Sequence, residues 1–189
     1  MALNWREDRE YLALVEDLLA TEEVQRLESY VHHKVTNRLA HSISVSYRSY
    51  RWAKKLGLDT RAIARAGLLH DLFFYESADK GKVGGKGHNF EHPRIALENA
   101  RKLTEISDLE ADIILKHMCG ATFDIPKYKE SWIVTLMDKE SAICEFFTGV
   151  KERAQAERNV TVEALSYFFA PLRVSTVVDE ATLNYYTKY

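Results

Sequence analysis

RAIARAGLLHDLFFYE, residues 61–76, places Ile63, Ala66, Leu69 and Phe73 at helical spacing, with Asp59 positioned just before them to cap the first turn. On that helix Ala66, His70 and Phe74 share one stripe, and Gly67, Asp71 and Tyr75 share the next. The pattern predicts a helix that runs to about Tyr75 and carries a histidine and an aspartate on apolar faces. A carboxylate on an apolar face needs a cation or several donors, because burying it alone is costly.

The flanking sequence also reads as helices. Upstream, a long helix is expected over residues 36–56, stopped by Gly57. Before it, one helix is expected over residues 6–20, and a second, capped by Thr21, runs through Val24, Leu27 and Val31. Downstream comes a loop over residues 77–89. Pro93 then suits the first turn of a helix ending near residue 104. Ser107 and Glu110 have capping-box spacing before a helix with Ile113, Ile114 and Leu115. Residues 129–147 form another helix, with Trp132, Val134, Leu136 and Ile143, and Cys144 is expected in the core. Residues 160–169 look like one more, ended by Pro171. No repeat or low-complexity linker divides the chain, so an all-α single domain is expected, with a core over residues 36–147 and helical extensions at both ends.

Polar residues interrupt the apolar stripes at further places. Val134, Asp138, Ala142 and Phe146 line up, and His117 follows Ile113 by four residues. His41, the pair His70-Asp71, His92, His117 and Asp138 fall on five separate expected helices or helix starts. Helices that each bring one such ligand to a common centre describe a metal site in a bundle core. The donor set is imidazole and carboxylate without thiolate, which suits iron or manganese, and also zinc, nickel or cobalt.

Composition narrows the function classes. The 26 Lys and Arg against 28 Asp and Glu give no overall drive toward nucleic acid or an anionic membrane. Only Cys119 and Cys144 occur, too few for a disulfide framework, and a cytoplasmic protein is expected. The N-terminal stretch carries acids and no apolar run, so neither a signal peptide nor a membrane span is expected. No Gly-Lys-Ser or Gly-Lys-Thr pattern is present. The segment DKGKVGGKGHN carries Lys80, Lys82 and Lys86 among glycines, as a basic lid over phosphate or a plain solvated connection would. Arg48, seven residues after His41, is a second phosphate candidate or an exposed helix arginine. The tyrosines near the C-terminus suit packing or contact between subunits, so a homo-oligomer is open.

The ordered pieces HSISVSYRSYRWAKKLGLD with His41, RAIARAGLLHDLFFYE with His70-Asp71, GHNFEHPRIALENARKL with His92, ADIILKHM with His117 and IVTLMDKESA with Asp138 resemble the HD superfamily of metal-dependent phosphohydrolases. The resemblance implies that His41, His70, Asp71 and Asp138 hold one metal. It also implies that His92 and His117 complete the six-ligand set of two-metal members, with Asp71 bridging and Asp71 and His70 central to catalysis. His88 is the reserve ligand. Glu76, Lys139 and His88 are candidates to orient the ligands. The implied activity is hydrolysis of a phosphomonoester or phosphodiester of a nucleotide or related small molecule by metal-activated water. The same six ligands serve diiron oxygenases of this fold, and a silent nucleotide-sensing module is the third reading. No GYP signature follows the His-Asp pair, which speaks against a cyclic dinucleotide as the specific substrate.

Overall fold

The computed structural model describes residues 4–32, 36–75 and 87–144 of the 189-residue chain. All of them belong to one unit, Met1–Gly149. The expected helix over residues 160–169, the tyrosine-rich tail and the C-terminal extension lie outside the described residues.

The architecture is all-α, with one small hairpin. A 3-10 turn at Trp5–Glu7 leads into α1 (Arg9–Leu19), α2 (Glu22–Arg26) and a second 3-10 turn at Leu27–Ser29. Strands β1 (Val31–His32) and β2 (Thr36–Asn37) pair antiparallel, Val31 opposite Asn37 and His32 opposite Thr36. Then follow α3 (Arg38–Leu56), α4 (Thr60–Leu69), α5 (His88–Leu103), α6 (Asp108–Lys116) and α7, which spans residues 129–144 up to the last described residue.

The helix starts follow from local chemistry. Asp8, Thr21, Asn37, Asp59 and Ser107 each accept a backbone N–H of the first turn, and Ser107 with Glu110 closes a full capping box. Gly57 ends α3 with φ +64, a left-handed conformation that a side chain disfavours.

Four expected helix bounds are corrected. The first helix begins at Arg9, because Asp8 turns extended and caps there. The second stops at Arg26: five residues do not propagate a helix, and β-branched Val31 joins the hairpin instead, closed by Arg38 N–H donating to the Tyr30 carbonyl at 2.9 Å. Helix α4 ends at Leu69, not near Tyr75. Leu72 N–H returns to the Leu69 carbonyl and Phe73 N–H to the Asp71 carbonyl, so the His-Asp pair lies in the turn after the helix. Helix α5 starts at His88, a turn before the expected position, and Pro93 lies inside it.

Helix α3 packs on α4, which also packs on α1 and α6, while α5 packs on α6. Fully buried Ile63, Leu68, Leu69, Ile113 and Ile114 fill the centre, each contributing about 1.5–3 kcal/mol. Polar staples cross this core. Tyr11 donates to Ser46 Oγ at 2.8 Å, which donates to the Ala64 carbonyl at 2.6 Å. The buried Arg65 guanidinium reaches the Leu14 carbonyl, Asp17 and Thr104, joining α4 to α1 and to the end of α5. Arg38, 2% exposed, donates to the carbonyls of Phe73 and Tyr75 and lies 3.7 Å over the Phe73 ring. It thereby fixes the segment that follows His70-Asp71. Cys144 is exposed rather than core, on the same outer side of α7 as half-exposed Ile143.

Two substitutions test this packing. A Cβ on Gly67 would stand 3.0 Å from the Ser46 Cα, so Gly67→Ala should destabilise by about 1–3 kcal/mol in urea unfolding, despite the better helix propensity of alanine. Asp112 accepts from Lys127 N–H, Ser131 Oγ and Lys116 Nζ, at 2.9, 2.7 and 2.6 Å. Burial opposes its charge, but these donors hold its pKa below the usual carboxylate value. Its stabilisation is therefore present above the unfolded pKa of about 4 and lost as pH falls through the lower folded value. Asp112→Asn should cost about 1–2 kcal/mol at pH 7, and the difference from wild type should close below pH 4.

Candidate metal centre

The histidines sit where helices end or cross. His41 projects from α3 and His92 from the second turn of α5, while Asp138 comes from α7. His70 and His117 occupy the C-cap positions of α4 and α6, and Asp71 follows directly. All four imidazoles are at most 3% exposed, and Asp71 is 5% exposed.

Each of three rings is fixed through Nδ1. His70 Nδ1 donates to the Gly67 carbonyl at 2.8 Å, His92 Nδ1 to His88 at 2.7 Å and His117 Nδ1 to Ile114 at 2.8 Å. A carbonyl only accepts, so Nδ1 carries the proton and Nε2 is turned inward as the ligand atom. His41 Nε2 lies 3.0 Å from Asp138 Oδ1, and His70 Nε2 lies 3.6 Å from the same oxygen. Asp71 faces both ways: Oδ2 is 3.9 Å from His70 Nε2, while Oδ1 is 3.4 Å from His92 Nε2 and 3.7 Å from His117 Nε2. His41, His70 and Asp138 form one compact group able to hold an ion, and His70, Asp71 and His117 a second.

Two features of this cluster ask for cations. His92 Nε2 and His117 Nε2 stand 2.8 Å apart. Burial lowers both pKa values, that of His117 to about 3, helped there by the neighbouring His92 and His70 rings. Both rings are then neutral at neutral pH, and two lone pairs face each other. A cation between them removes the repulsion, and two nitrogens on one ion with bonds of about 2.1 Å at right angles lie about 3 Å apart. His70 Nε2 is buried and, among the described residues, has no hydrogen-bond partner. Burial disfavours charge on this ring, yet Asp71 and Asp138 outweigh it and raise its pKa, so the field at that atom favours positive charge. Asp138 is likewise penalised by burial, but the His41 and His70 rings hold it well below the usual range. The residues present therefore fit metal ions.

A cavity of about 300 Å³ opens beside the cluster. Asp71, His92, His117 and Asp138 form one side of it, and Met118, Ala121 and Ala142 add apolar wall. His88, Asn89 and Lys139 complete it. Reserve candidate His88 does not join the ligand groups. Its ring stacks on His92, with centroids 4.3 Å apart, and its Nδ1 lies 2.7 Å from the Tyr75 hydroxyl, whose pKa burial pushes up to about 12. Lys139 Nζ donates to the His117 carbonyl at 3.4 Å.

Arg48 is placed elsewhere. It pairs with Glu140, donates to Ser141 Oγ at 3.4 Å and lines a separate cleft with Trp5, Asn37 and Tyr47. Seven residues along a helix carry it about 10 Å past His41, level with the next turn of α7. Lys80, Lys82, Lys86 and Glu76 lie outside the described residues. The Tyr75–His88 pair and the wall residues Asn89, Met118 and Ala121 were not anticipated. The dense aromatics after His70-Asp71 were the only local hint.

A model of the HD domain matches residues 38–143, the stretch that supplies all six convergent side chains. Ribonuclease Y of Lactobacillus helveticus is 30% identical over 118 residues, covering 62% of this chain and 19% of that protein. Ribonuclease Y of Lactobacillus acidophilus matches with the same identity and coverage. The chain thus spans about a fifth of the length of these curated relatives. No solved structure matches. With its helices carrying a His, His-Asp, His, His and Asp series into one centre, the chain belongs to the HD domain family.

Proposed function

We propose that the protein is a metal-dependent phosphohydrolase with a two-metal centre, acting on a phosphate ester of a nucleotide or related small molecule. The observation that carries this reading is the two-sided placement of Asp71, one oxygen toward His70 and the other toward His92 and His117. His41, His70 and Asp138 would hold one metal, His92 and His117 the other, and Asp71 both. Iron or manganese suits this set best. Bound there, such ions supply water of lowered pKa and positive charge for the phosphoryl oxygens.

The chain's own residues do the rest. The Nδ1–carbonyl bonds of His70, His92 and His117 keep the ligand nitrogens aimed before any ion arrives, which limits reorganisation. Buried Phe73 packs on the His92 ring at 5.3 Å between centroids. The cavity beside the cluster offers the room for substrate. Its size matches the lower end of small-molecule pockets, which favours a nucleotide-sized ester. The likeness to proteins named ribonuclease Y adds RNA phosphodiesters to the substrates worth testing.

Metal-reconstituted protein should release phosphate or a nucleotide from a panel of phosphomonoesters, phosphodiesters and short RNAs. Oxygen consumption with a mixed-valent diiron signal and no ester cleavage would instead establish the oxygenase reading. Tight nucleotide binding without turnover across a metal panel would establish the sensing module. Elemental analysis should find two metals per chain. His117→Ala should drop this by about one equivalent and lower turnover by more than the roughly 10–100-fold that loss of a ligand's hydrogen-bond partner costs, with unchanged circular dichroism. A single metal in fully loaded wild type, or unchanged stoichiometry in the variant, would return the site to its four-ligand form.

A further inference from the structure

Several charged residues of these helices are paired with one another. Arg48 pairs with Glu140, Arg65 with Asp17, Lys54 with Glu10 and Lys116 with Asp112. Lys139 is the exception on the cavity wall. Among the described residues no carboxylate lies within ion-pair distance of it, and its hydrogen bond runs to a neutral acceptor, the His117 carbonyl, at a long 3.4 Å. Asp71 and Asp138 line the same cavity, but both are committed to the imidazole cluster.

The Lys139 side chain is half-buried. Gly120, at φ +95, turns the chain after His117 back over it, and a Cβ there would stand 3.6 Å from Lys139 Cε. The result, among the described residues, is an ammonium without a carboxylate at ion-pair distance in the wall of a cavity that also touches the cluster. A partly desolvated cation without a partner is unfavourable, so its place is explained by an anion that arrives with the ligand. A lysine contributes there as a compact point charge with several donors, suited to a non-bridging phosphoryl oxygen.

We propose that Lys139 binds the phosphoryl group of the substrate in this cavity, beside the metal centre. The inference rests on the phosphohydrolase reading for the identity of the anion. Lys139 does not serve as a metal ligand, and its weak bond to the His117 carbonyl is a resting position that the anion replaces.

Calorimetric titration of inorganic phosphate into the manganese-loaded full chain, with metal content measured in parallel, tests this. Lys139→Gln keeps a donor for the His117 carbonyl and removes the charge, whereas Lys139→Arg keeps the charge. The expected result is phosphate binding weakened about tenfold or more in the Gln variant, per bound metal, with the Arg variant close to wild type. Gln binding phosphate like wild type, equal losses in both variants, or no phosphate binding by loaded wild type would each overturn the proposal. The two readings fail separately. Phosphate binding that depends on the Lys139 charge, in a protein that cleaves no ester, sinks the hydrolase and leaves the anion site. Ester turnover with KM unchanged in Lys139→Gln does the reverse.

Discussion

Two carboxylates and four imidazoles share one small volume in the core, and the way their nitrogens and oxygens face one another suits positive charge placed among them. His92 and His117 turn bare nitrogens toward each other at 2.8 Å, and His70 turns a third toward Asp71 and Asp138. The fold is arranged around this cluster. Helices α3 and α4 approach closely at Gly67 and Ser46, which brings His41 and His70 within 5.5 Å between ring centroids. Helix α6 packs on both α4 and α5, which brings His117 to His70 and His92.

Burial alone would have been cheaper with apolar residues at these six positions, since a buried ionic cluster rarely adds net stability. Around the cluster, several buried polar side chains find their partners within the protein. Ser46, Arg65 and Asp112 tie neighbouring helices together through side chains that end on backbone carbonyls or on one another. Arg38 does the same for the four residues after Asp71, so the aspartate stands between a capped helix and a clamped segment.

Much of this was legible in the sequence, because the signals were local. Asn37, Asp59 and Ser107 announced their helices through capping chemistry, and Gly57 announced an end. His70, Asp71, His117 and Asp138 stood out because they broke apolar stripes, His41 and His92 through their order on separate helices, and the structure brings all six together. Less legible were features that depend on neighbours in space. Nothing local shows that α4 stops at Leu69, since Leu72, Phe73 and Phe74 continue the apolar pattern; the stop comes from the turn that Arg38 holds from 35 residues away. Pro93 read as a first-turn residue, but α5 starts earlier and tolerates it. Arg48 lay on the correct helix, yet Glu140 across the gap claims it.

The placement of His70 and His117 at helix C-caps has an electrostatic consequence. Helices α4 and α6 both end at the centre, and each C-terminus carries roughly half a negative charge from aligned peptide dipoles. These add to the two carboxylates, so the metal-free centre is a sink for cations and a barrier to anions. An anion therefore meets a repulsive potential at the metal-free centre, to which the backbone of the two helices contributes about as much as one carboxylate.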